Sequence, residues 1–425
     1  FRLFAVLAFL IFLISLPLLI MRVKFPGQVG QGEAINVEFA LTLLRGDPLY
    51  HDPSQAPYLY PAYPPLYPWL ASLLMGWIHN VWAPGRILAF TGYLGCGGML
   101  WFIGAKRWGW PAALLLSSLF WLFPTWARWG TMNRCDAFGL FLQFLAFLLL
   151  YQEEFRKKPA PEEGAATWGT IVLAGFLEAL AILVKQTSMG LLVVFALYGV
   201  GEKRWKPVLL FALSCLLPVG VVFGIEQWQS GGFFLKNIFL WLDTGTSIGN
   251  LTYYFFHFFT LEGGVLLVLV IFLVRTRELN NLLRWQVFFS ALMLLDLARA
   301  MGAENYFMEF LLYGIFLVGE GLASARKEGL RIQWLPKSWP PALIPFCLLV
   351  LVFAGGSRIA WPGLPSEQEI DMKWNAATVI YRNPGEHLAL DLDLPVMAGK
   401  RLWVQPAEYT AMVKRGYWSA EPLIR

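Results

Sequence analysis

Long apolar runs separated by short polar ones fill most of this chain, too continuous for the one-sided helices of a water-soluble protein and lacking the alternation of strands. They fall near residues 3–20, 86–105, 111–127, 136–151, 168–184, 188–201, 207–225, 253–274, 285–298, 305–322 and 340–355. A helix needs about 20 apolar residues to cross about 30 Å of hydrocarbon. The pattern therefore predicts an all-α polytopic membrane protein with about 11 transmembrane helices, several of them short. Glu262 interrupts the segment 253–274. The first run carries no small-residue cleavage site, so it reads as a span and not as a signal peptide.

The connections sort by charge. One alternating set holds Lys106 and Arg107, then Arg156, Lys157 and Lys158, then Lys203, Arg204 and Lys206, then Arg275, Arg277 and Arg284, then Arg326, Lys327, Arg331 and Lys337. Clustered Lys and Arg mark the cytoplasmic side. With an odd number of spans the N-terminus is inside and the tail outside. The chain thus divides into a transmembrane module, 1–355, with a long outer loop at 21–85, and a small extracytoplasmic appendage, 356–425. In that tail, 379–381 and 402–404 read as short strands and 407–415 as a short helix, a mixed α/β piece. Residues 152–167 read as a solvated cytoplasmic linker.

Composition sharpens this reading. The 425 residues are 57% hydrophobic and only 14% charged, more apolar surface than one soluble core absorbs. The 20 Trp suit rings anchored at two membrane interfaces. A net charge of +5 is placed by topology and gives no reason to invoke nucleic acid. Cys96, Cys135, Cys215 and Cys347 lack ligand-like spacing.

Polar chemistry collects in the outer connections. The spacing of Ala34, Val37, Leu41 and Leu44 predicts a helix over 33–44 lying in the interface, followed by a stiff, extended Tyr/Pro run at 58–68. Glu33 and Glu38 are its candidates for a general base, with His51 and Asp52 in secondary roles; an ordinary solvated loop is the plainer reading. Asp136 enters a span beside Arg134 and shares a helical face with Leu140 and Gln143. A carboxylate there is costly unless paired or facing a wet cavity, so a structural Arg134–Asp136 pair stands against a site. Lys185-Gln186-Thr187 sits at the outer end of 168–184, where the ammonium could hold a phosphate or snorkel and pair with Glu178. Gly302, Asn305 and Glu309 fall on one stripe after Arg299, which has Asp296 three residues before it; neutral packing does not require that Asn and Glu. The loop 226–250 adds Lys236 and Asp243. Taken together, carboxylates suit a base that takes the proton of an attacking hydroxyl. Cations suit a departing phosphate. A transporter would concentrate polar groups near the bilayer midplane instead.

The long acidic first outer loop, with its Gly46-Asp47-Pro48-Leu49-Tyr50 and Tyr63-Pro64-Pro65-Leu66-Tyr67-Pro68 runs, resembles the GT-C superfamily of membrane glycosyltransferases. So do Arg134-Cys135-Asp136, Lys185-Gln186-Thr187 and Asn305-Tyr306-Phe307-Met308-Glu309. The bacterial branch akin to protein O-mannosyltransferases and the lipid A aminoarabinose transferase is most similar. The resemblance implies inverting transfer of a sugar from a polyprenyl-phosphate donor to a glycan, lipid or protein acceptor, outside the cytoplasmic (inner) membrane. It implies Glu33, or Glu38, as the catalytic acid residue of the first loop, although Gln31-Gly32-Glu33 stands where the family usually has an Asp. By the same carry-over Arg134, Lys185 and Arg299 would contact phosphate or shape the cavity. Asp136, Gln186, Asn305, Tyr306 and Glu309 would line it. Some members bind a divalent cation and others need none; no ligand cluster here decides between them. Two alternatives remain: a catalytically inactive relative with a structural or lipid-binding role in a larger membrane complex, and a transporter of lipid-linked sugars.

Overall fold

A computed structural model of the chain describes residues 2–30, 32–155, 165–240, 245–258, 281–299, 302–328, 363–385 and 391–414, together with positions 270 and 421. Its regular elements are α1 (Arg2–Lys24), α2 (Glu33–Leu44), α3 (Leu66–Met75), α4 (Ala83–Arg107), α5 (Trp110–Leu122), α6 (Pro124–Trp129), α7 (Asp136–Phe155) and α8 (Ala165–Val184). Then come α9 (Gly190–Gly201), α10 (Trp205–Gln229), α11 (Ile248–Phe258), α12 (Asn281–Met293), α13 (Phe307–Glu328), α14 (Glu367–Arg382), α15 (Asp393–Met397) and α16 (Pro406–Lys414). Four stretches, Arg2–Lys24, Ala83–Arg107, Trp205–Gln229 and Glu304–Ser324, are long and apolar enough to cross a membrane, and shorter apolar helices accompany them. Among the expected spans, 340–355 and most of 253–274 lie outside the described residues, as do Asp243 and most of the linker 152–167.

Local chemistry explains where the elements break. The expected segment 111–127 is two helices, because Phe123 precedes Pro124 and takes an extended ψ of 121°. The proline ring disfavours helical geometry in the residue before it. Helices α4 and α7 approach closely at Gly92, where an added Cβ would stand 2.3 Å from the Ala137 carbonyl oxygen. Beneath that contact Phe144, Phe147, Tyr151, Tyr313 and Phe316 form a buried ring cluster joining α7 to α13, with Phe147 and Tyr313 edge-on at 5.0 Å.

At the basic end of the bundle, Glu320 of α13 receives Arg107 Nε at 2.5 Å, Arg107 Nη2 at 2.6 Å and the Trp108 indole N–H at 2.8 Å. A charged pair this enclosed leaves a costly orphan when one partner goes. Glu320→Ala should lower unfolding free energy in detergent by about 3 kcal/mol, read from a denaturation midpoint. A loss under about 0.5 kcal/mol would mean that water already screens the pair.

At the opposite end lie α2, α3 and the tail. Helix α2 spans the predicted residues, but it is not a one-faced interfacial helix: Glu33 to Ala40 are all buried. The Tyr/Pro run is extended only as far as Pro64, and α3 begins at Leu66. In the tail the expected strand 379–381 belongs to α14, started by a capping box between Ser366 and Glu369. Val404 forms a single parallel bridge to Tyr58 and not a strand, so among the described residues the tail is helical instead of α/β. The expected helix at 407–415 is α16.

Candidate active site

Three helix termini meet at this end. Asp136 opens α7, Lys185 follows the last turn of α8, and Glu309 stands in the first turn of α13. Acids at helix N-termini and a cation at a C-terminus each complement the helix dipole. Lys185 leaves α8 in an extended conformation (φ −152°, ψ 119°), and a 3₁₀ turn at Gln186–Met189 carries the chain into α9. That break lifts the ammonium out of the helix and aims it at α7.

Lys185 Nζ lies 2.5 Å from Asp136 Oδ1, and the same oxygen accepts Asn305 Nδ2–H at 2.7 Å. The ammonium also faces the rings of Tyr306, at 5.2 Å, and Tyr63, at 6.0 Å. Asp136 is thus held by Lys185 and Asn305, and Lys185 has turned to Asp136 and not to Glu178. Glu309 Oε1 accepts Gln286 Nε2–H at 3.0 Å. Asp136, Leu140, Lys185, Thr187, Ser188, Met293, Asn305, Tyr306 and Glu309 line one cavity. The helical face Asp136–Leu140–Gln143 carries down from it, with Gln143 Nε2 donating to the Ser188 carbonyl at 3.2 Å. A second cavity is lined by Asn36, Phe39, Pro61, Tyr63, Tyr67, Pro68 and Cys135, and the Tyr63 ring that lines it also faces the Lys185 ammonium at 6.0 Å.

The remaining candidates stand around these cavities. Glu33 is fully buried and lines neither cavity. Its Oε1 accepts Arg86 Nε–H at 2.8 Å and the Asn133 backbone N–H at 2.6 Å; its Oε2 accepts Arg86 Nη2–H at 2.9 Å and the backbone N–H groups of Val29 and Gly30 at 2.7 and 3.2 Å. Burial alone would raise its pKa, but the Arg86 guanidinium and these donors hold it below the ordinary carboxylate range. Gly32 permits the arrangement: its φ is +79°, and a Cβ there would meet Arg134 Nη2 at 2.7 Å. Arg134 itself lies over the Trp129 ring at 5.4 Å. Glu38 is also buried, 2.5 Å from Arg45, and burial pushes its pKa up against that partner's pull. Gln186 braces loops, donating to the carbonyls of Ala62 and Ile238 at 2.9 Å each. Arg299 is more exposed and pairs with Asp296 at 3.3 Å; Asn250 Nδ2 donates to its carbonyl at 2.7 Å. His51 bonds the Pro57 carbonyl, and Asp52 closes a turn onto Ser54.

The structure brings Asp136, Lys185, Asn305, Tyr306 and Glu309 to one cavity and leaves Glu33, Glu38, Arg134, Gln186 and Arg299 off its lining; Arg86, Tyr63 and Gln286, which contact these groups, were not among the sequence candidates. Arg86 had a signal: a cation at the non-basic end of a long apolar helix, where the loop 21–85 supplies a buried acid. Among the described residues no three His, Cys, Asp or Glu side chains group as metal ligands.

No family model and no curated protein matches the chain by sequence. Solved structures do share its fold. ArnT from Cupriavidus metallidurans bound to undecaprenyl phosphate superposes with a TM-score of 0.69 at 15% identity, covering 95% of this chain and 87% of that one. The apo state of the same protein gives 0.68 at 16% identity, over 96% and 88%. The archaeal oligosaccharyltransferase AglB from Archaeoglobus fulgidus, in complex with an inhibitory peptide and a dolichol-phosphate, gives 0.53 at 12% identity, covering 93% of this chain and 64% of that one.

Proposed function

We propose, with the GT-C fold as the premise, that this chain is an inverting glycosyltransferase moving a sugar from a polyprenyl-phosphate donor to an acceptor hydroxyl. The reaction takes place at the extracytoplasmic face of the inner membrane, in a multi-pass chain with its N-terminus inside and its tail outside. The acceptor is a glycan, a lipid or a protein, and other membrane proteins are candidate partners.

The observation that carries this reading is the Lys185 ammonium, poised on a cavity wall between a carboxylate and two phenol rings. A phosphate entering there meets a cation already desolvated and oriented, and the bond to the anomeric carbon breaks with its electrons going to a phosphate that Lys185 stabilises. Arg134 and Arg299, at the periphery, add positive potential along the approach. The acceptor oxygen attacks the opposite face of the sugar, which inverts the anomeric configuration, and its proton passes to a carboxylate. We assign that role to Glu309, which faces the cavity, in preference to Glu33 and Glu38, whose carboxylates are engaged elsewhere.

The test is sugar transfer from a synthetic polyprenyl-phosphate donor in proteoliposomes. Glu309→Gln should keep donor binding and reduce turnover by about 10²–10⁴-fold; unchanged turnover would refute the assignment. The saturated Glu33 favours a second reading, a non-catalytic relative with a structural or lipid-binding role. That reading expects the wild-type protein to bind polyprenyl phosphate and transfer nothing.

A further inference from the structure

The tail attaches to the extended segment 58–64 through backbone and side-chain hydrogen bonds. Tyr58 N–H donates to the Trp403 carbonyl at 2.7 Å, and Gln405 N–H donates back to the Tyr58 carbonyl at 3.0 Å. The Gln405 side chain is buried, and its Oε1 accepts the Tyr60 N–H at 2.9 Å. Beside it the Tyr409 hydroxyl donates to the Pro53 carbonyl at 3.1 Å, with its ring edge-on to Tyr58. Farther along, the segment is gripped from the site side: Gln186 holds the Ala62 carbonyl, and the Tyr50 hydroxyl donates to the Tyr63 carbonyl at 2.6 Å.

Pro61 and Pro64 each remove a backbone donor from this segment, and Pro57 and Pro65 flank it. The N–H groups of Tyr58 and Tyr60 are both satisfied by the tail, which fixes the position of the segment against it. Pro-rich backbone is stiff, so a displacement at Tyr60 reaches Tyr63 three residues on.

We propose that Gln405 is a positioning residue for the site: through Tyr60 it sets the position of segment 58–64 and so holds Tyr63 where it lines the second cavity and faces Lys185. That Lys185 holds a donor phosphate there rests on the function proposed above; the mechanical link does not. The 402–405 stretch is then part of the site's frame and not of a detached appendage.

Cys135 lines the second cavity with Tyr63 and is 3% exposed, whereas Cys96 is fully buried within α4. Two full-length single-cysteine proteins, one retaining Cys135 and one retaining Cys96, report on that cavity and on the bundle in turn. Labelling with a maleimide should run about tenfold faster at Cys135 in Gln405→Ala, as expected for loss of one buried hydrogen bond, and stay unchanged at Cys96. Gln405→Glu, which keeps an acceptor for the Tyr60 N–H, should restore protection. If Gln405→Ala fails to accumulate, Tyr409→Phe, which removes only the hydroxyl on Pro53, carries the same expectation at smaller size. Unchanged labelling at Cys135, or an equal rise at Cys96, overturns the proposal. Because labelling needs no sugar transfer, failure of the transferase reading leaves this result intact; where transfer is measurable, Gln405→Ala should raise KM more than it lowers kcat.

Discussion

Arg86→Ala should dismantle the face of the protein that carries the site. Arg86 is fully buried, and besides Glu33 it donates to the backbone carbonyls of Arg22, Phe25 and Gly27. One side chain therefore ties the end of α1, the loop after it, the start of α2 and the start of α4. Removing it strands the Glu33 carboxylate without a cation and frees three carbonyls, so the expected loss is about 3–5 kcal/mol, enough to consume much of a typical unfolding free energy. Glu33→Ala should cost a similar amount. The double variant should cost clearly less than the sum of the two, because the second change no longer leaves an unpaired charge. Additive losses in a denaturant titration would show that the two groups do not act as a pair.

The pH dependence follows the same logic. Glu33 has its folded pKa lowered below the unfolded carboxylate value, so it contributes stability above that value and loses it only as pH falls through the lowered one. The wild-type stability should hold into mildly acidic solution, with the Glu33 contribution fading below the ordinary carboxylate range. Glu33→Gln separates the two roles available to this residue. A base would lose turnover with stability intact; a pivot loses stability first, since an amide leaves Arg86 unpaired.

How much of this was legible beforehand depends on which interactions are local. Among the described residues, apolar length marked most of the long helices to within a few residues, 111–127 being split by Pro124, because each long helix satisfies its own backbone and must meet hydrocarbon or protein along its sides. Helical spacing grouped Asp136 with Gln143 on α7, because positions three, four and seven apart share a face. The expected stripe Gly302–Asn305–Glu309 is not one helix, since Asn305 lies in the 3₁₀ turn Glu304–Tyr306 ahead of α13 and Gly302 lies before that turn, although Asn305 and Glu309 still line one cavity. What no spacing encodes is which of several acids meets which of several cations. Glu33 and Arg86 are 53 positions apart, and Asp136 and Lys185 are 49 apart. The plausible local pairs, Arg134 with Asp136 and Glu178 with Lys185, gave way to the long-range Lys185–Asp136 pair that joins the ends of α7 and α8. The tail misled for a related reason: Val379, Ile380 and Tyr381 favour strands, but the capping box at Ser366 starts a helix that runs through them.

Lys185→Met should nearly abolish transfer while leaving the bundle folded. The methionine matches the length of the lysine stem, so the packing of the stem persists while the ammonium and its hold on Asp136, Tyr63 and Tyr306 are lost. Two effects then separate. In the resting protein Asp136 keeps the Asn305 amide as donor but loses its cation, a penalty paid in stability. In the proposed reaction, the charge developing on the departing phosphate has no ammonium beside it, and turnover should fall by about 10²–10³-fold, the usual size for removal of one well-placed charge stabiliser. Asp136→Asn in the same protein relieves the stranded carboxylate and should recover stability without recovering turnover. Lys185→Arg should not rescue activity either, because a planar fork cannot occupy the point between Asp136 Oδ1 and the two rings that the compact ammonium fills. Full turnover in Lys185→Met would place the phosphate elsewhere and remove the main support for a transferase site in this cavity.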